Sequence, residues 1–172
     1  RIRFLVKKIL KKQSYIYDDK VQDLVRAITQ DGFAVVPNFY TEQECSLLRD
    51  RIDNLVIERN KKDMLWEDAS AADKRCFGAE EDNELIAGYF SNGFLNSVAD
   101  NYFGAKMTCS NTLASKIIYR EGNAGSGQGW HRDGNQMQFK ALVYLSDTEL
   151  KDGPFQIIRT SHKVKKIFQH IK

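Results

Sequence analysis

His131 and Asp133 stand two positions apart within "GSGQGWHRDGNQMQFKALVYLSD", residues 125–147. Three chemistries use a His-Arg-Asp run. A kinase catalytic loop places an asparagine five positions after its aspartate and needs a strand lysine and a second metal motif besides. Gln138 occupies that fifth position and the other motifs are absent, which removes the kinase reading. A phosphate-cradling loop has glycines spaced like Gly122 and Gly127, but it requires Lys and then Ser or Thr directly after the second one. Gln128 and Gly129 stand there instead, so these glycines are read as a flexible hairpin loop. In the third reading His131 and Asp133 are two ligands of one metal. On an extended strand residues i and i+2 project to the same side, so imidazole and carboxylate face a common ion while Arg132 points away. A neutral imidazole, a carboxylate and a second, distant histidine suit non-haem Fe(II) and leave coordination positions open. The same pair is also an ordinary structural ion pair, and the surrounding chain has to discriminate.

The elements that must position this pair follow from periodicity. "DDKVQDLVRAITQDG" sets Val21, Leu24, Val25 and Ile28 on one helical face, with Asp18 or Asp19 to cap it and Gly32 to end it. "FAVVPNFY" reads as a short buried strand closing at Pro37. "TEQECSLLRDRIDNLVIERNKK" opens on a Thr41-x-x-Glu44 capping box and continues with helical spacing. Residues 63–84 are polar and acidic without a clear period and read as loop with some helix. "NELIAGYFSNGFLNSVADNYFG" predicts helical segments interrupted around Gly93. From Lys106 onward "MTCSNTLASKIIYREG", "QFKALVYLSD" and "GPFQIIRTSH" are β-branched and aromatic runs bounded by turn residues, as in antiparallel strands. The tail "KVKKIFQHIK" has the spacing of one short helix. The predicted fold class is mainly β with N-terminal helices (α+β): a single domain over 1–172, mostly helical through 1–105 and built of strands over 106–172.

Composition bounds the function classes. At 172 residues, with 42% hydrophobic and 28% charged residues and two prolines, the chain has the make-up of a soluble, folded domain. Cys45, Cys76 and Cys109 form no CxxC pair and no disulfide framework, which fits a reducing, cytoplasmic setting. A net charge of +3 provides no case for nucleic-acid binding. The charge is uneven, however. "RIRFLVKKILKKQ" carries six Lys or Arg within twelve residues interleaved with apolar ones, so residues 1–13 read either as a helix packed on its own domain or as a peripheral membrane contact. No apolar run is long enough to span a bilayer and no signal-peptide pattern is evident.

The surroundings of the pair resemble a known family. "DGFAVVPNFYTEQECSLLRDRI" is similar to the N-terminal part of the phytanoyl-CoA dioxygenase family. "GSGQGWHRDG" followed by "QFKALVYLSDTELKDGPFQIIRTSHK" resembles that family's iron-binding strand through its Gly-Pro and Ser-His-Lys segment. The resemblance implies a double-stranded β-helix, a cupin-like jelly-roll of two facing sheets, with iron at one mouth and 2-oxoglutarate as cosubstrate. It implies an oxidoreductase that couples decarboxylation of 2-oxoglutarate to hydroxylation of a small organic substrate. His131 and Asp133 take the places of two iron ligands. Lys116 and Tyr119, on the strand before the metal loop, fall where similar enzymes contact the cosubstrate; each is equally readable as an outward, solvated residue. Trp130 reads as packing or pocket wall, and Lys140 and Asp147 resemble positions that stabilise the sheet and its turn.

The chain departs from the family at its end. The resemblance implies a further metal histidine well beyond the Ser-His-Lys segment, and later an arginine for the cosubstrate's far carboxylate. Only His162 and His170 remain here, and no arginine follows Arg159. His162 matches the segment's own histidine, which orders a turn or supports the site more readily than it binds metal. The expectation is that the natural chain continues past Lys172, as its start on Arg1 also suggests. The alternative is a degenerate jelly-roll that binds a ligand or partner without a complete triad.

Overall fold

Asp18 and Gly32 bracket the first helix as the sequence predicts. In the computed structural model, which describes residues 18–123, 129–134 and 136–163, helix α1 spans Asp19–Asp31. The Asp18 carboxylate accepts from Lys20 N at 2.9 Å, and Gly32 turns the chain out of the helix at φ 94°. The expected helices over 1–13 and over the tail, with His170, lie outside the described residues, as do positions 124–128 of the glycine-rich loop.

The chain separates into two compact units. One comprises residues 1–37, 92–108 and 156–172. Within it α1 packs on α4 (Gly93–Phe103), burying Val21 against the face that carries Val98 and Ala99. Gln22 Nε2 donates to Asn101 Oδ1 across this contact at 3.0 Å. Asn92 caps α4 by accepting from Leu95 N at 3.1 Å. The buried Asp100 carboxylate is satisfied by Met107 N at 2.6 Å and faces Lys106 Nζ at 3.5 Å. The segment predicted as a strand at 33–36 has no regular secondary structure, and Val35 is 75% exposed. A β-branched run becomes a strand only beside a partner, and none is described there.

The second unit comprises residues 38–91 and 109–155. Thr41 and Glu44 form the predicted capping box at the start of α2 (Glu42–Lys61). Leu48, Leu55 and Val56, spaced for one face, bury against Cys76, Ala79, Ile86 and Ala114. Ile86 comes from α3 (Glu84–Phe90), whose N-cap is Asn83. Cys76 and Ala114 come from a three-stranded antiparallel sheet of β1 (Trp66–Glu67), β2 (Asp73–Phe77) and β3 (Leu113–Ile117), in the order β1-β2-β3. They face each other across the β2–β3 ladder, where two small side chains leave room for the helix. The interruption expected around Gly93 falls between α3, which ends at Phe90, and α4, capped by Asn92.

Two expectations are corrected. Residues 63–84, read as loop with some helix, supply β1, β2 and a 3-10 turn at Ala79–Glu81. Their strand character was hidden because the β1–β2 turn is held by a side chain rather than by Gly-rich turn residues. Asp68 accepts from Ser70 Oγ (2.6 Å), Ala72 N (2.7 Å) and Asp73 N (2.9 Å), and Ala71 takes a left-handed φ of 55° between them. Conversely, "QFKALVYLSD" and "GPFQIIRTSH" form no ladder: β3 is the last strand among the described residues, and helix there exceeds strand. The mainly-β prediction therefore holds only as a small antiparallel sheet accompanied by helices. Leu142, Tyr144 and Phe155 are 64%, 50% and 71% exposed, so the β-branched and aromatic runs that predicted strands lack a second face that would bury them among the described residues.

Candidate metal centre

Asn123 closes the turn after β3 and opens the glycine-rich loop that leads to His131. Its amide donates to Ser70 Oγ at 2.9 Å and reaches Asp68 Oδ2 at 3.4 Å, which ties the start of this loop to the β1–β2 turn. The loop ends at Gly129, with φ 88°, and the chain then runs through residues 130–134 without regular secondary structure.

Along that run the His131 and Asp133 side chains approach each other, although the segment expected as a strand is irregular and bends at Asp133. His131 Nε2 lies 3.2 Å from Asp133 Oδ1, and His131 Nδ1 lies 2.8 Å from the carbonyl oxygen of Gly129. A carbonyl only accepts, so Nδ1 carries the hydrogen and donates it. Nε2 is left as the nitrogen that faces the carboxylate, where either a proton on the ring or a shared cation joins the two groups. A backbone acceptor that fixes the tautomer of a ligating histidine is a recurrent support of metal sites. The remaining carboxylate oxygen, Asp133 Oδ2, accepts from Lys140 Nζ at 2.6 Å. Lys140 first, then His131, hold the Asp133 carboxyl below its ordinary value against the opposing effect of burial. The donor set thus fits a divalent cation that takes nitrogen and oxygen ligands. Among the described residues no group of three His, Cys, Asp or Glu side chains gathers for a metal.

The other sequence candidates are engaged elsewhere. Lys116 on β3 pairs with Asp53 of α2 at 2.7 Å, so its charge is already balanced by a carboxylate of this chain. Tyr119, just past β3, is 58% exposed and its ring borders Gly153. His162 belongs to the other unit. Its Nε2 lies 3.1 Å from the Thr29 carbonyl at the end of α1, and its Nδ1 has no hydrogen-bond partner among the described residues. His162 is thus bonded to the C-terminal end of a helix. Trp130 is 65% exposed. Lys140, read from sequence as a sheet stabiliser, instead meets Asp133. Neither Lys140 nor the Gly129 carbonyl was found by motif: the first depends on how the chain folds back, and the second is backbone.

The described residues thus bring together one imidazole and one carboxylate, each with a further partner: the Gly129 carbonyl for His131 and the Lys140 ammonium for Asp133. The profile of the phytanoyl-CoA dioxygenase (PhyH) family matches residues 28–170, and the chain belongs to that family. It is 24% identical over 155 residues to ectoine dioxygenase of Stutzerimonas stutzeri (strain A1501), which covers 82% of this chain and 50% of that protein. The chain therefore spans about half the length of the curated relative it matches. No solved structure matches it. Dioxygenase kinship is thus the general class, and among the described residues no helix is long and apolar enough to cross a membrane.

Proposed function

We propose that the protein is an Fe(II)- and 2-oxoglutarate-dependent oxygenase that hydroxylates a small organic molecule, with His131 and Asp133 as two of its metal ligands. The observation that carries this reading is the approach of His131 Nε2 to Asp133 Oδ1 at 3.2 Å with the other ring nitrogen tied to Gly129. Family membership supplies the reaction class and, with the dioxygenase name of the relative, supports the iron and the cosubstrate. His131 and Asp133 would hold the iron, which when bound would supply oxygen activation coupled to decarboxylation of 2-oxoglutarate.

The chain's own part is positional. Gly129 holds the His131 tautomer so that Nε2 is free to ligate, and Asp133 brings the negative charge that favours a divalent ion over a neutral ligand. Lys116 would contact the cosubstrate only after releasing Asp53, whereas Tyr119 is exposed.

Anaerobic addition of Fe(II) and 2-oxoglutarate to the complete natural protein tests the proposal. A weak visible charge-transfer band is expected, lost in His131→Ala and in Asp133→Ala. A protein that binds neither component, or whose band survives both substitutions, is instead a non-catalytic binding module of this family.

A further inference from the structure

Among the described residues the Asp133 carboxylate meets side chains and no backbone donor. It sits on a run without helix or ladder, is followed by Gly134, and has two chemically equivalent oxygens related by a low-cost rotation. Yet the two oxygens have different partners: Oδ1 faces His131 Nε2, and Oδ2 takes the ammonium of Lys140 at 2.6 Å. His131 is anchored in the same manner, by Gly129 through the nitrogen turned away from Asp133. Each candidate ligand therefore has one support of its own on the side opposite their meeting point.

We infer that Lys140 is a positioning residue of the metal centre, holding Asp133 Oδ2 so that Oδ1 is the oxygen offered beside His131 Nε2. This rests on the metal reading above. The competing explanation is an ordinary surface ion pair, since the Lys140 and Asp133 side chains are 65% and 49% exposed, and such pairs are weak. The two explanations differ in sign. A lysine that only adds positive charge near a cation site opposes metal binding, so removing it leaves affinity equal or raises it. A lysine that orients the ligand promotes binding, and loss of such supporting partners typically weakens metal affinity about 10–100-fold.

Mn(II) binding to the complete natural protein, followed by electron paramagnetic resonance and by calorimetric titration without cosubstrate, separates these cases. Lys140→Met is expected to bind about 10–100-fold more weakly than the wild type. Lys140→Arg, which keeps a charge-assisted bond in a different geometry, recovers part of the loss. Lys151→Met, which removes a lysine paired with Glu149 away from the pair, leaves the affinity unchanged. Melting temperatures of the metal-free variants should match the wild type, which separates positioning from folding; Lys140→Gln repeats the measurement if the methionine variant is poorly behaved. Wild-type affinity or tighter binding in Lys140→Met overturns the role of Lys140 while leaving the metal centre standing. Binding that is unchanged by His131→Ala overturns the metal centre, and the role of Lys140 with it.

Discussion

The imidazole of His162 lies against Gly32 so closely that a β-carbon there would stand 2.7 Å from Nδ1. Gly32 also has φ 94°, a conformation that side chains rarely adopt. Beside it, Arg159 forks onto the Asp31 carboxylate with two bonds of 2.8 Å, and Thr160 N donates to the Asp31 carbonyl at 2.7 Å. The Arg-Thr-Ser-His segment thus closes the C-terminal end of α1, supplying donors to carbonyls the helix leaves open. Gly32→Ala is expected to cost about 1–2 kcal/mol for the left-handed backbone alone, and more because the methyl displaces His162. In a His162→Ala background only the backbone part should remain, so the two substitutions are non-additive in a thermal-denaturation cycle. Additive effects would mean that the ring yields to the methyl without loss.

Asp68 makes a pH prediction. The Ser70 hydroxyl first, then the Asp73 amide, with Ala72 and Asn123 behind them, bring its carboxyl down from 3.8 to about 2. A carboxyl depressed by folding contributes stability that is complete above its unfolded value and lost as pH falls through its folded value. Stability should therefore decline from just above pH 3.8 down to about 2, and Asp68→Asn should flatten that part of the profile. Asp31, lowered chiefly by Arg159, adds to the same acid-side slope. Urea denaturation midpoints across this range are the measurement, and a profile identical in the asparagine variant would remove Asp68 as the cause.

The core prediction concerns Ile86, 3% exposed and packed among Leu48, Leu55, Val56, Cys76, Ala79 and Ala114. Truncation to Ala removes buried apolar contact and leaves a cavity, with an expected cost of about 2–5 kcal/mol. Ile86→Val should cost about 0.5–1.5 kcal/mol. Chemical denaturation reads both, and equal losses would mean that the site collapses around the smaller side chain.

Tyr89 offers a stabilising substitution. Its ring meets Phe39 edge-on at 6.3 Å between centroids, and its hydroxyl is buried without a partner among the described residues. Burial pushes its phenol up to about 12. Removing an unsatisfied polar atom while keeping the ring should raise stability by about 1 kcal/mol or more in Tyr89→Phe. A lower melting temperature in that variant would reveal a bond to the hydroxyl.

Local order was legible from residue types at short range. Asp18, Gly32, the Thr41–Glu44 box and the break before Gly93 act within one turn of a helix, where spacing alone decides which groups meet. The β1–β2 hairpin escaped notice because its turn is closed by the Asp68 side chain reaching Ala72 and Asp73 rather than by a glycine signature. The runs after Phe139 have strand composition, but composition cannot provide the neighbour whose backbone completes a ladder.

The candidate site divides in the same way. Sequence by itself singled out His131 and Asp133 as a pair two positions apart, because short spacing limits how far their side chains can separate. Only the tertiary structure decided what stands behind them: the Gly129 carbonyl on one nitrogen, and Lys140 on one oxygen. Tertiary structure likewise set Lys116 on Asp53 and His162 on the end of α1, pairings across 63 and 133 positions that no local spacing encodes. Such partners are chosen by how the chain folds back on itself, and that depends on the burial of residues far from either one.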